Sequence, residues 1–312
     1  MLSRVHRLEG LRYMGLVLAL SAGAAGQPLQ QAVRARIGDF QGMVSLYAKN
    51  LDTGAAFGIR ESEPVRTAST IKVPIMLAVF DAVSRGQAKW SEPLTVTAAE
   101  QVSGTGVLGE MSDGDQLPLR DVVQLMIVLS DNTATNLVLE RFTADAVNAY
   151  LDKLGIRTTR VMRKIRGDGS QLKAASGMSA AGKLPENEKY GIGMSTPRDM
   201  ATILEKLERG EIVSRDASRE MIAILKRCQD GTGIRRRMGG LAVANKTGSL
   251  DALRSDVGIV YSKGGRIAMA ITVDGMPKVD YTPDNTGSVL IADLAKILVD
   301  GLAGAGNGGH KQ

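Results

Sequence analysis

Histidine is almost missing from this chain: His6 stands near one end, His310 near the other, and none lies between. That excludes a Ser-His-Asp triad and a histidine-ligated metal site, so any general base must be another residue type. Cysteine occurs once, as Cys228, which rules out an intramolecular disulfide. Cys228 continues the apolar pattern of Met221, Ile222, Ile224 and Leu225 and is expected to be buried. Aromatic residues make up only 4% of the chain, too few to stack on bases. The net charge of +6 is therefore read as a basic surface suited to an acidic cell envelope, with no nucleic acid as partner. Its one local cluster, Arg235-Arg236-Arg237, is read as a solvated face. No apolar run approaches the roughly 20 residues that a bilayer core requires. The run from Tyr13 to Leu20 is shorter, follows Arg4, Arg7 and Arg12, and precedes small residues ending near Ala25 and Gly26. This is the pattern of a secretory signal peptide over residues 1–26. The mature protein is expected to be exported, periplasmic or secreted, with no stable membrane insertion. No cysteine directly follows the apolar run, so the thiol of a lipoprotein anchor is not expected there.

Processing leaves about 285 residues, enough for one large domain or two lobes sharing a core. Gln27 to Phe40 reads as a helix, and Gly42 to Lys49 with Ala55 to Arg60 as a hairpin turning at Leu51-Asp52-Thr53-Gly54. Apolar residues recur at helical spacing from Ile71 to Val83, with Pro74 in the first turn and Gly86 closing the stretch. Further helices are expected over Leu119 to Leu129, Thr133 to Phe142 and Ala144 to Leu154, and after the Thr196-Pro197-Arg198-Asp199 cap. Strands return at Val257 to Tyr261 and Ile267 to Val273, and a last helix runs from Val289 to Leu302. The expected architecture is mixed α/β (α+β): an antiparallel sheet built from both chain ends and flanked by helices, with an inserted all-α subdomain. Its domain spans 27–302, the α/β part being 27–68 with 212–302 and the helical part 69–211. The Gly-rich tail 303–312 is expected to be disordered.

Ser69-Thr70-Ile71-Lys72 places a hydroxyl and an amine three residues apart at the start of an apolar helix, where both can share one face. A neutral lysine amine can take the serine proton, provided burial or nearby cations lower its pKa. The helix N-terminus disfavours lysine protonation and aims free N–H groups at a developing oxyanion. Alone the pattern is weak, because Ser-x-x-Lys arises about once by chance at this length. Ser170-Gln171-Leu172-Lys173, in a Gly- and Lys-rich polar stretch, is such an accident.

Two further motifs follow in order, each occurring once: Ser130-Asp131-Asn132 between two helices, and Lys246-Thr247-Gly248 just before a strand. With Ser-x-x-Lys they make up the three-part signature of the serine β-lactamases and penicillin-binding proteins. The chain strongly resembles that superfamily, most closely class A β-lactamases, over nearly all of the mature length. The stretch Thr133-Ala134-Thr135-Asn136-Leu137 and the Ser195-Thr196-Pro197-Arg198-Asp199-Met200 helix start add to the likeness. The resemblance implies that Ser69 attacks the lactam carbonyl, that Lys72 manages its proton and that Ser130 relays it to the leaving nitrogen. It implies that Asn132 binds the substrate side-chain amide, that Lys246, Thr247 and Gly248 hold the substrate carboxylate end, and that the N–H groups of Ser69 and Ser249 form the oxyanion hole. Read without it, Ser130 and Asn132 could cap a helix and Lys246-Thr247-Gly248 could be a solvated strand start.

The resemblance fails at one place. Class A enzymes carry a Glu-x-x-Leu-Asn segment whose Glu activates the deacylating water. Here Arg163 matches the arginine opening that loop, but Lys164-Ile165-Arg166 follows, without an acid. Asp168, Glu186 and Glu188 are the candidate replacements, Asp168 being nearest. Without such a base the enzyme acylates and stalls, as a penicillin-binding protein does. The readings are a β-lactam-opening acyl hydrolase, a slow-deacylating penicillin-binding or cell-wall peptide-processing protein, and an inactive binding homologue. The expected partner is a small β-lactam or cell-wall peptide. A monomer with no metal or organic cofactor is expected.

Overall fold

The computed structural model describes residues 26–304. The expected signal peptide before Gly26 and the tail beyond Gly304 lie outside the described residues. Helix α1 (Gly26–Ile37) leads to strands β1 (Met43–Asn50), β2 (Ala56–Ile59) and β3 (Val65–Arg66), then to a 3-10 turn at Ala68–Ile71 and helix α2 (Lys72–Ser84). Strands β4 (Pro93–Thr95) and β5 (Gln116–Pro118) pair ahead of α3 (Leu119–Val128), α4 (Asn132–Phe142) and α5 (Ala144–Lys153). Strands β6 (Arg160–Val161) and β7 (Gly193–Ser195) form a small sheet with β3. The chain then builds α6 (Pro197–Glu208), α7 (Arg215–Lys226), β8 (Ala242–Leu250), β9 (Leu253–Ser262), β10 (Gly265–Asp274) and α8 (Thr286–Gly304).

The main sheet runs β2-β1-β10-β9-β8 and every pairing is antiparallel. Both chain ends therefore meet in it, with β1 against β10 from Met43↔Asp274 to Asn50↔Ile267. Side chains alternate along β10 between two cores. Ile267, Met269, Ile271 and Val273 pack in one cluster with Leu29 and Val33 of α1 and Leu290, Leu294 and Leu298 of α8. Ala268 and Ala270 belong to the other, which holds the helical block. Their small size suits the close packing of α6 on β10. Helix α2 is buried on almost every side, from Lys72 to Phe80, so it forms the axis of that block rather than an amphipathic surface helix.

The structure departs from the sequence pattern in four places. Lys246-Thr247-Gly248 lies inside β8, not ahead of a strand. Val243 through Gly248 are all buried, so the polar/apolar alternation that marks a strand is missing there. Helix α7 is an additional element, started by the Ser214 hydroxyl accepting from Ala217 N–H. The arginine run is solvated in part: Arg236 and Arg237 are exposed, whereas Arg235 is half-buried. Arg235 donates to the carbonyls of Lys226 and Val243 and to Asn245 Oδ1, while Arg236 pairs with Asp284 and Arg237 with Asp293. Helix α8 extends through Ala303 and Gly304 into the region read as tail. Cys228 is buried, as its neighbours imply. No helix among the described residues is long and apolar enough to cross a membrane.

Candidate active site

Ser69 is half-buried in the 3-10 turn that feeds α2, one residue after Ala68, whose φ of +46° lies in the left-handed region. Ser130 sits at φ +57° between α3 and α4. Such conformations in side-chain-bearing residues each carry a strain of about 1–3 kcal/mol and persist only where packing enforces them. Here both flank one cluster of side chains.

At its centre is Lys72, fully buried at the first position of α2. Its Nζ lies 2.7 Å from Ser130 O, 3.2 Å from Ser130 Oγ, 3.0 Å from Asn132 Oδ1 and 3.5 Å from Asp131 O. All four partners come from the Ser130–Asn132 segment; the Ser69 hydroxyl is not one of them. Lys246, also fully buried, reaches the same serine from the sheet side, 3.0 Å from Ser130 Oγ, and donates to Thr247 O at 2.7 Å. Burial pulls the Lys72 amine far below its ordinary pKa, and the positive charge of Lys246 adds to this against an opposing effect of Asp131. Burial also lowers Lys246, with the electrostatic influence of Cys228, Asp230 and Asp256 opposing that shift. Ser130 Oγ thus lies between two buried lysine amines, both with lowered pKa and Lys72 strongly so.

Strand β8 is an edge strand and packs directly on the Ser69 turn. A Cβ on Gly248 would sit 2.7 Å from Thr67 O and 2.9 Å from Ser69 N, so only glycine allows this approach. Ser249 follows on the exposed end of the strand. The Ser69 N–H and the strand edge carrying Ser249 therefore lie close together, as an oxyanion hole requires. Beneath the strand, Asp230 receives the N–H and hydroxyl of Thr232 at 2.9 and 2.7 Å. Burial pushes Asp230 up, but those bonds, the Thr247 hydroxyl and Lys246 hold it below its ordinary value. On β9, buried Asp256 accepts from Asn245 Nδ2 at 3.1 Å and Ile234 N–H at 2.8 Å, and burial pushes its pKa up to about 7.

Asp131, Thr105 and Asn136 play parts that motif reading did not assign. Asp131 is fully buried, caps α4 by accepting from Ala134 N–H at 2.8 Å, and accepts from Val107 and Leu108 N–H at 2.6 and 2.9 Å. It thereby ties the loop before β5 to the Ser130 turn; the acid between Ser130 and Asn132 was the available signal. Thr105 from that loop donates to Ser130 O at 2.7 Å, a contact that no motif announces. Asn132 donates to Ser103 O at 3.1 Å, which leaves its second amide N–H for a ligand.

The deacylating base has no counterpart in this cluster. Lys164 is buried and donates to Glu100 at 2.7 Å and to Glu140. The Ile165 backbone is pinned by Asn136, which donates to its carbonyl at 3.0 Å and accepts from its N–H at 2.8 Å. Arg166 donates to Lys173 O at 2.7 Å. Asp168 is exposed; its backbone N–H donates to Ser103 Oγ at 2.8 Å, and its carboxylate makes no hydrogen bond to Ser69 or Lys72. Glu186 and Glu188 are exposed in the 3-10 segment Pro185–Tyr190. Ser170 is exposed and Lys173 is spent on the carbonyls of Ala98 and Ala99, as expected of a chance motif. Among the described residues no group of three or more His, Cys, Asp or Glu could hold a metal ion.

A family model described as the beta-lactamase enzyme family matches residues 28–302. Beta-lactamase L2 of Stenotrophomonas maltophilia is 28% identical over 265 residues, covering 81% of this chain and 78% of that protein. A beta-lactamase from Sphaerobacter thermophilus superposes with a TM-score of 0.75 at 30% identity, covering 89% of this chain and 97% of the other. PBP-A, solved as a leucine-to-glutamate variant in an acyl-enzyme complex with penicillin G, gives 0.73 at 28% identity, covering 87% and 94%.

Proposed function

The chain belongs to the beta-lactamase enzyme family, and on that premise we propose that a β-lactam or related cell-wall amide acylates Ser69 and that the acyl group leaves slowly. The protein is a serine β-lactamase-like hydrolase; what we add is the assignment of roles and of the slow step. The observation that carries it is the Ser130 hydroxyl held 3.2 Å from Lys72 Nζ and 3.0 Å from Lys246 Nζ.

In this reading the Ser69 oxygen attacks the lactam carbonyl and its proton passes to the neutral Lys72 amine. The carbonyl oxygen becomes an oxyanion between the N–H groups of Ser69 and Ser249. As the C–N bond breaks, Ser130 gives its proton to the leaving nitrogen and takes one from Lys72, which is neutral again at the end. Lys246 and Thr247 hold the substrate carboxylate, and Asn132 donates to the side-chain amide. Release then requires a water activated by a base, worth about 10²–10⁴ in rate. The segment Lys164-Ile165-Arg166 supplies no carboxylate and its cations are bonded elsewhere. The capture of the leucine-to-glutamate variant of PBP-A as an acyl-enzyme with penicillin G is in keeping with the acylation half of this reading. Export after cleavage near Ala25 or Gly26, and action as a monomer, complete the proposal.

Intact-mass spectrometry after mixing with benzylpenicillin tests it. The wild type should gain one penicillin mass and Ser69→Ala should gain none. An equal adduct on both, or none on the wild type, contradicts the assignment.

A further inference from the structure

Asp168 stands where the base was sought, yet its surroundings suit recognition. It is extended (φ −141°) between Gly167 and Gly169, whose φ values of +82° and +51° force the chain into a tight excursion that presents the side chain. Its backbone is clamped to Ser103, N–H donating to Ser103 Oγ at 2.8 Å and Ser103 Oγ donating to its carbonyl at 3.4 Å. A Cβ placed on Gly104 would lie 2.6 Å from Asn132 Nδ2 and 3.7 Å from Asp168 Oδ2. The carboxylate is therefore a near neighbour of the amide assigned to the substrate side chain.

The carboxylate has no cationic partner among the described residues. Arg163 donates to Lys164 O, Arg166 to Lys173 O, and Lys173 to Ala98 and Ala99 carbonyls. Arg254, on β9, is committed to the carbonyls of Leu250, Leu253 and Asp280 and stacks 4.8 Å from the centre of the Tyr281 ring. Tyr281 is 63% exposed and donates to Asp251 at 2.8 Å. Lys72 and Lys246 are buried and bonded to Ser130 and Thr247.

We propose that Asp168 is a specificity-determining residue that favours acyl donors whose side chain carries a cation just beyond the amide bound by Asn132, such as an aminopenicillin or a peptide with a free amine. The proposal rests on the Ser69 acylation reading above. Because Asp168 is exposed, its pairing with a substrate ammonium should be worth roughly two- to fivefold, the scale of exposed ion pairs, and should weaken with salt. A general base would instead be worth about 10²–10⁴ on release.

The test measures Ser69 acylation rates by quenched intact mass for ampicillin (ammonium on the side chain), benzylpenicillin (uncharged) and carbenicillin (carboxylate). The readout is the ampicillin-to-carbenicillin ratio, each rate normalised to benzylpenicillin, at low and high salt. The wild-type ratio should exceed that of Asp168→Asn by roughly fivefold or more, since gain on one substrate and relief on the other multiply. Asp168→Glu should keep the preference and Asp168→Lys should invert it. A ratio unchanged by all three variants overturns the proposal, as does Asp168→Asn slowing adduct release a hundredfold for every substrate, which would make it the deacylating base. Absence of any wild-type adduct refutes the parent reading and the proposal together.

Discussion

Replacing Lys72 with methionine separates proton transfer from folding. In the barrier the amine acts as the base for Ser69, a contribution of about 10²–10⁴, or roughly 3–5 kcal/mol at about 1.4 kcal/mol per decade. In the folded state the change is small. Methionine nearly matches the length of the side chain, and it removes an amine that burial already penalises. Of the acceptors left behind, Ser130 O keeps the Thr105 hydroxyl at 2.7 Å and Asp131 O keeps the Thr135 hydroxyl at 2.7 Å, while Asn132 Oδ1, on a half-buried side chain, loses its donor. Ser130 Oγ keeps Lys246 at 3.0 Å. The net stability change should stay within about 2 kcal/mol, since one half-buried acceptor loses its donor while a buried amine is removed. The assay pairs thermal melting with the second-order rate of benzylpenicillin adduct formation. A melting temperature within a few degrees of wild type, with acylation down at least a hundredfold, is expected. Acylation within tenfold of wild type in a folded Lys72→Met protein would refute Lys72 as the base.

Three other perturbations follow from the same geometry. Gly248→Ala pushes a methyl within 2.9 Å of Ser69 N and 2.7 Å of Thr67 O. It should cut acylation toward the 10²–10³-fold typical of a lost oxyanion donor, with stability far less affected; unchanged acylation kinetics would show that β8 does not set the Ser69 N–H. Asp131→Ala removes the α4 cap and orphans three N–H groups, those of Val107, Leu108 and Ala134, so unfolding should become easier by about 3–5 kcal/mol, readable in chemical denaturation. Asp256→Asn tests a linkage: the folded pKa of Asp256 is raised from 3.8 to about 7, so the proton it holds stabilises the native state at low pH. That contribution fades as pH rises from about 4 through about 7, and the variant, lacking the titration, should gain stability relative to wild type across that window and plateau above it. A stability difference that stays flat from pH 4 to 8 would contradict it.

How legible the protein was in its sequence varied with the kind of signal. Helix α2 and the Ser69–Lys72 spacing were readable because an apolar run at helical spacing, with Pro74 in its first turn, is a local pattern. Pairing of β1 with β10 followed from strands lying at both chain ends. Strand β8 was hidden because burial on both faces removes alternation. The roles of Thr105 and Asp131 were hidden for another reason: they depend on a loop folding back over a motif about 20–30 residues away, and no periodicity encodes that. The arginine run was legible as an exposed stretch at Arg236 and Arg237, but its partners, Asp284 and Asp293, come from the far end of the chain and were not. Lys164 read as a basic residue where an acid belongs, and only the fold brings Glu100 and Glu140 to it.

The account stands on an acyl-enzyme that forms readily at Ser69 and is released slowly. The direct measurement is a single-turnover experiment: load the protein with benzylpenicillin, remove the excess, and follow intact mass and the Ser69 peptide with time. Slow release predicts an adduct on Ser69 that persists much longer than the time it took to form. Return to the unmodified mass as fast as loading, or an adduct mapped to another residue, would contradict it.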